Sequence, residues 1–152
     1  MMHLNLAGSY HEIGRNLGKR VKKDFKLPPA SKAAIQLARD CRTMVKEHAP
    51  GIVEELKGLS ETARLDPELL DVYVLTFEKN IGCSAFYVSE KWTAEGLGGM
   101  YARTLDWHDF RIKYATTIRN SPEDRISSIS SSDHFVGRHG GINDQGLVVG
   151  TH

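Results

Sequence analysis

The chain has 152 residues, 40% of them hydrophobic and 26% charged, with a formal net charge of +1. That balance excludes a disordered chain and suffices for one domain with a real core. The near-zero charge leaves no footprint for nucleic acid, and no run reaches the ~18 apolar residues of a transmembrane helix.

From the N-terminus, Met1-Met2-His3-Leu4-Asn5-Leu6-Ala7-Gly8 lacks a basic stretch followed by an apolar run. No export signal is visible, and the expectation is a cytoplasmic protein without membrane contact. Residues up to about 78 read as helical. Ser9 followed by Glu12 fits a capping box, with Ile13, Leu17 and Val21 on one face. Gly14 and Gly18 form a small-residue stripe beside them, which lets another element approach the backbone at a cost in helicity of ~1 kcal/mol each. Lys19-Arg20-Val21-Lys22-Lys23 reads as the solvated end of this helix, which Leu27-Pro28-Pro29 breaks. A second helix starts near Ser31 with Ala34, Leu37, Ala38, Cys41, Met44 and Val45 inward. Pro50 opens a third, burying Ile52, Val53, Leu56, Leu59 and Ala63. Asp66-Pro67 caps a fourth carrying Leu69, Leu70, Tyr73, Val74 and Phe77.

After Lys79 the texture changes to strands. Gly82-Cys83-Ser84-Ala85-Phe86-Tyr87-Val88 and Gly98-Gly99-Met100-Tyr101-Ala102-Arg103-Thr104-Leu105 suggest an antiparallel hairpin. Residues 115–119 and 125–129 are further strand candidates. Phe135-Val136-Gly137, the turn Ile142-Asn143-Asp144-Gln145-Gly146 and Leu147-Val148-Val149-Gly150-Thr151 suggest a second hairpin, with Asn143 placed for its tolerance of positive φ. Helices followed by a strand meander indicate an α+β fold. The chain stops at Thr151-His152, apparently within a strand, so the expectation is a truncated protein, or one subunit that a second chain or a homo-oligomer completes.

Cys41 sits on an apolar helical face and reads as a small core residue. A disulfide with Cys83 is one option, although without an export signal reduced thiols are expected. His134 and His139 lack a third ligand, so no metal is expected. Cys83 has two readings, a buried strand cysteine or a nucleophile. Arg103 and Asp106 likewise read as a strand-end ion pair or as a cation and carboxylate returned beside the thiol, where they would lower its pKa and fix its hydrogen bonds. Tyr87 and Trp107 are either core aromatics or pocket walls.

Gly82-Cys83-Ser84-Ala85-Phe86, Ala102-Arg103-Thr104-Leu105-Asp106-Trp107 and Gly141-Ile142-Asn143-Asp144-Gln145-Gly146-Leu147 resemble, in that order, three motifs of the N-terminal-nucleophile hydrolases. The branch is that of penicillin acyltransferase (isopenicillin N acyltransferase), with choloylglycine hydrolase and acid ceramidase more distant. Gly8-Ser9-Tyr10-His11-Glu12-Ile13-Gly14-Arg15-Asn16-Leu17-Gly18-Lys19 is similar to the helical pro-segment of that branch. The resemblance implies a helical pro-segment over 1–82 (a candidate small subunit), then over 83–152 the first strands of an αββα sandwich, incomplete at the C-terminus. It implies autocatalytic cleavage between Gly82 and Cys83, after which the free α-amine of Cys83 serves as base for its own thiol. Asp106 would orient that amine, Arg103 would support thiolate and substrate, and Tyr87 and Trp107 would line the pocket. The expected substrate is a non-peptide linear amide or an acyl thioester such as an acyl-CoA, with no cofactor. The family's oxyanion asparagine would fall at or just past His152. The contrasting expectation is a non-catalytic remnant acting only through self-association or a partner chain.

Overall fold

The computed structural model describes residues 2–21, 25–76, 82–106, 115–132 and 138–150, with the backbone alone at 82, 83, 105 and 106. Lys22, Lys23, Phe77, Trp107, His134, Phe135, Val136, Gly137, Thr151 and His152 lie outside the described residues or side chains. The elements in chain order are β1 (Met2–Gly8), α1 (Tyr10–Gly18), α2 (Lys32–His48), α3 (Pro50–Ala63), α4 (Pro67–Leu75), β2 (Gly82–Val88), β3 (Met100–Asp106), β4 (Thr116–Pro122), β5 (Ser128–Ser132), β6 (Gly140–Asn143) and β7 (Val148–Gly150). The fold is therefore α+β. Among the described residues, no helix is long and apolar enough to cross a membrane.

The first segment differs from the helical expectation. Residues 2–8 form a strand, with Leu4 and Leu6 buried and His3 and Asn5 exposed, the period-two alternation of a half-buried strand. β1 pairs in parallel with β4, Leu4 opposite Ile118, so the five-stranded sheet β1-β4-β5-β6-β7 takes chain from both sides of residue 82. A parallel pair needs a long crossover, and the four helices and the β2–β3 ribbon lie within it.

The capping box at Ser9 is present in full. Glu12 N–H donates to Ser9 Oγ at 3.3 Å, and Ser9 N–H donates to Glu12 Oε2 at 2.9 Å. These hydrogen bonds from Ser9 hold the Glu12 carboxyl below its ordinary range. α1 ends at Gly18, well before the prolines, in a tight turn where Arg20 N–H meets the Leu17 carbonyl, as two glycines in nine residues weaken its propagation. The same glycines admit α3. A methyl group on Gly14 would overlap the Glu55 carbonyl, and one on Gly18 would stand 2.8 Å from that of Leu59. The two helices cross almost backbone to backbone.

Around that crossing lies the core: Ile13, Leu17, Leu56, Leu59 and Leu70 from the helices, with Leu4, Leu6 and Ile118 from the sheet. Each fully buried aliphatic side chain contributes roughly 1.5–3 kcal/mol of transfer free energy. α3 buries Val53, Leu56 and Leu59 as expected, but Ile52 is exposed.

α2 departs further from expectation. Only Ala38 is buried, Cys41 is half-buried, and Leu37 and Met44 face solvent. The helix turns instead on Ile35, Ala38, Arg39 and Arg42, which line a cleft against α4. Arg39 meets Glu68 at 2.5 Å, and Arg42 Nη1 meets both Asp71 oxygens at 2.6 and 2.8 Å. Asp71, buried on α4, thereby has a cation beside it, whereas Arg39 and Glu68 are both more than half exposed and their pair contributes little.

The later strands shift from their expected bounds. β5 starts at Ser128 because Asp124 takes a left-handed φ of 54° and spends 123–125 on a turn. β6 is 140–143, and the β6–β7 turn is closed by Asn143, whose Oδ1 accepts from Gln145 N–H and Leu147 N–H at 3.0 and 2.9 Å. Asn143 thus acts as an acceptor, and Gly146 takes the positive φ of 80°.

Candidate active site

The hairpin expected at Cys83 is formed. β2 and β3 pair antiparallel, with Gly82 opposite Asp106, Cys83 opposite Leu105 and Ala85 opposite Arg103. The Gly82–Cys83 peptide therefore stands across from the Leu105–Asp106 peptide, at one end of the ribbon. The pleat's period of two assigns positions 83, 85, 101 and 103 to one face of the ribbon and position 106 to the other. The structure thus brings Cys83, Arg103 and Asp106 onto adjacent strands. The Asp106 position stands level with the backbone before Cys83, and Arg103 two register steps along.

The ribbon lies over the sheet face opposite the helices. Tyr101 and Arg103 reach that face at two glycines: a methyl on Gly150 would overlap the Tyr101 hydroxyl, and one on Gly140 would stand 3.8 Å from Arg103 Nη1. Arg103 is half-buried, and its Nη1 donates to the His139 carbonyl at 2.5 Å. Next along the chain, Arg138 Nη2 donates to Glu55 Oε1 of α3 at 2.7 Å, with both side chains largely buried.

Between ribbon and sheet opens a cleft of about 500 Å³, lined by Tyr101, Arg103, His139, Ser131 and the apolar row Ile129, Ile142 and Val148, among others. The row is contiguous by register, Ile129 opposite Ile142 and Ile142 opposite Val148, and each member is over 40% exposed. Its wall is apolar along that row, and Arg103 contributes a guanidinium to the lining.

Tyr87 is in described structure but is 67% exposed, its ring against Gly99 rather than in the cleft. Its cross-strand partner Tyr101 lines the cleft. The pairing 87–101 is implicit in the hairpin register, so the sequence carried a signal for Tyr101. Glu55 and Arg138, 83 residues apart, gave none. His139 contributes its carbonyl to Arg103, and among the described residues no group of three or more His, Cys, Asp or Glu is placed to hold a metal ion. No family model matches the chain, and no curated protein matches it significantly.

Proposed function

We propose that this chain carries the nucleophile strand of an autoprocessing N-terminal-nucleophile cysteine hydrolase or acyltransferase, resembling the penicillin acyltransferase branch, with residues 1–82 as pro-segment and the strands after it as part of an αββα sandwich. The observation that carries the reading is the β2–β3 register, which sets the Gly82–Cys83 bond level with Asp106 and near Arg103. The order helix, sheet, ribbon also agrees with three successive layers of such a sandwich.

In the proposed chemistry the Cys83 thiolate attacks the Gly82 carbonyl carbon. The C–N bond breaks, a thioester forms, and the nitrogen becomes the Cys83 α-amine after taking a proton. Water then cleaves the thioester, leaving a carboxylate on Gly82 and a free thiol. In turnover the α-amine, with an intrinsic pKa near ~8, accepts the thiol proton. The thiolate attacks a linear amide or acyl thioester, and the departing amine or thiol leaves with that proton. The acyl-enzyme passes its acyl group to water or to an amine. Arg103 supports the thiolate and the polar end of the substrate, Asp106 orients the α-amine, and the Ile129–Ile142–Val148 row receives the acyl chain.

Intact mass of the purified protein tests this. The expected result is two fragments split at Gly82–Cys83 in the wild type and an uncleaved chain for Cys83→Ala. An uncleaved wild type identical to that control would sink autoprocessing. The competing reading, a non-catalytic chain acting by association, is favoured by the bare apolar ribbon: Phe86, Tyr87, Trp92 and Met100 are each at least half exposed. An uncleaved chain that also self-associates on sedimentation would support it.

A further inference from the structure

We infer that the ribbon-facing side of the five-stranded sheet binds an aliphatic carboxylate of about ten carbons, with its tail along Ile129, Ile142 and Val148 and its carboxylate at Arg119. The inference rests on the reading above only for the acyl chain on that row, whose hydrolysis product is such a carboxylate, and it uses no atom of residue 83. Strand register puts Asn5, Arg119, Ile129, Ile142 and Val148 in one row across β1, β4, β5, β6 and β7. The pleat turns that row away from Ile118 and the helices, and its three apolar members are 45%, 46% and 42% exposed. On the covered face, by contrast, Leu4, Leu6 and Ile118 are buried.

The neighbouring row of the same face shows why this one is left bare. It carries Thr117, Ser131, Gly140 and Gly150, and the ribbon docks there, with the Tyr101 hydroxyl over Gly150 and Arg103 beside Gly140. Side chains of β3 thus enter where the sheet has none, and the apolar row beside them becomes the floor of the cleft of about 500 Å³. That volume falls within the range of small-molecule sites. From Ile129 to Val148 the floor crosses two inter-strand spacings, ~10 Å, the reach of about eight bonds of an extended chain. Charge selects the head group. The five strands contain no aspartate or glutamate, and Arg119 is their only lysine or arginine. Arg119 is exposed and stands next to Ile129 in the row, with Asn5 on its other side. An anion at this end of the track meets a guanidinium, whose planar fork matches a carboxylate. Arg103 already donates to the His139 carbonyl and has no part in the inference.

The test is isothermal titration of the full chain with hexanoate, octanoate, decanoate and dodecanoate below their micellar concentrations, with decylamine as the cationic control. Affinity is expected to rise about twofold or more per methylene up to decanoate and then to level off, because the track ends at β7. Arg119→Gln should weaken decanoate about tenfold, and Ile142→Thr should weaken decanoate more than hexanoate. Both positions are exposed, so the urea midpoint should hold; the chain-length series and decylamine need no variant and decide the matter should it shift. No binding at millimolar decanoate, equal affinity for decanoate and decylamine, or indifference to Arg119→Gln overturns the inference. Cys83→Ala should bind as the wild type does. An uncleaved wild type that binds decanoate removes the nucleophile reading and leaves the site, whereas a cleaved one that does not bind removes the site alone. Self-association that Ile142→Thr abolishes, without any decanoate binding, assigns the row to a second copy of the chain instead.

Discussion

The α1–α3 crossing and the β2–β3 ribbon are both rich in large apolar side chains, yet they end in opposite states. Ile13, Leu17, Leu59 and Ile118 are at most 1% exposed, whereas Phe86, Tyr87 and Met100 on the ribbon are 63%, 67% and 50% exposed. In the first region three layers of chain converge, so each side chain has neighbours on every side. The ribbon has two strands, and among its described side chains Tyr101 and Arg103 reach the sheet while Phe86, Tyr87 and Met100 face outward. Two-stranded hairpins are marginal alone, so the register that aligns Gly82–Cys83 with Asp106 leans on that docking. A rigid scaffold thus holds a lightly attached ribbon, and the hydrogen bond from Arg103 to the His139 carbonyl is one of the contacts that join the two.

Leu59→Ala should give the largest effect, a loss of about 2–5 kcal/mol in urea unfolding, because the α1–α3 contact cannot collapse around the void. A loss below ~1 kcal/mol would mean that the crossing is not the stability centre described. Next comes Arg42→Ala, expected to cost about 2 kcal/mol near neutral pH by leaving Asp71 buried without its cation. Burial raises the Asp71 carboxyl above its ordinary range, and Arg42 offsets this only in part. A raised carboxyl means that the folded chain binds protons more readily than the unfolded one. The Asp71 contribution is therefore most favourable below its unfolded pKa and is lost as pH rises through the folded one. Removing Arg42 raises that folded value further, so the penalty should shrink on acidification, and a penalty flat in pH would contradict the burial of Asp71. Phe86→Ser should be the smallest, within ~0.5 kcal/mol, as expected for a solvent-facing site. A loss of several times that would show the ribbon to be as well packed as the core and remove the contrast.

Much of the local structure was legible. Ser9 with Glu12, and Asp66 before Pro67, announce helix starts because the capping hydrogen bonds form within four residues. Gly14 and Gly18 announce a close helix crossing, since a missing side chain in a helix has few other uses. The α2 apolar stripe misled: the face that meets α4 carries Ile35, Ala38, Arg39 and Arg42, and Arg42 reaches the buried Asp71. β1 was missed although Leu4-Asn5-Leu6 alternates, since so short a pattern becomes decisive only when a partner strand exists. In the site, Cys83, Arg103 and Asp106 stood out by residue type and order, and their strand pairing followed from one hairpin. Tyr101 was readable only once the register was known.

What the amino-acid sequence determined by itself, then, is the α+β class, the helix caps, the glycine stripe and the hairpin that pairs Cys83 with the Arg103–Asp106 strand, all of them set by interactions within a few residues or across one turn. Tertiary structure alone decided that residues 2–8 join β4, that the ribbon sits on the sheet face away from the helices, and that Glu55 meets Arg138. Those contacts join residues 36 or more positions apart. No local preference encodes such a pairing; it follows from which surfaces remain to be covered, and which buried charges remain to be paired, once the helices have closed on the sheet.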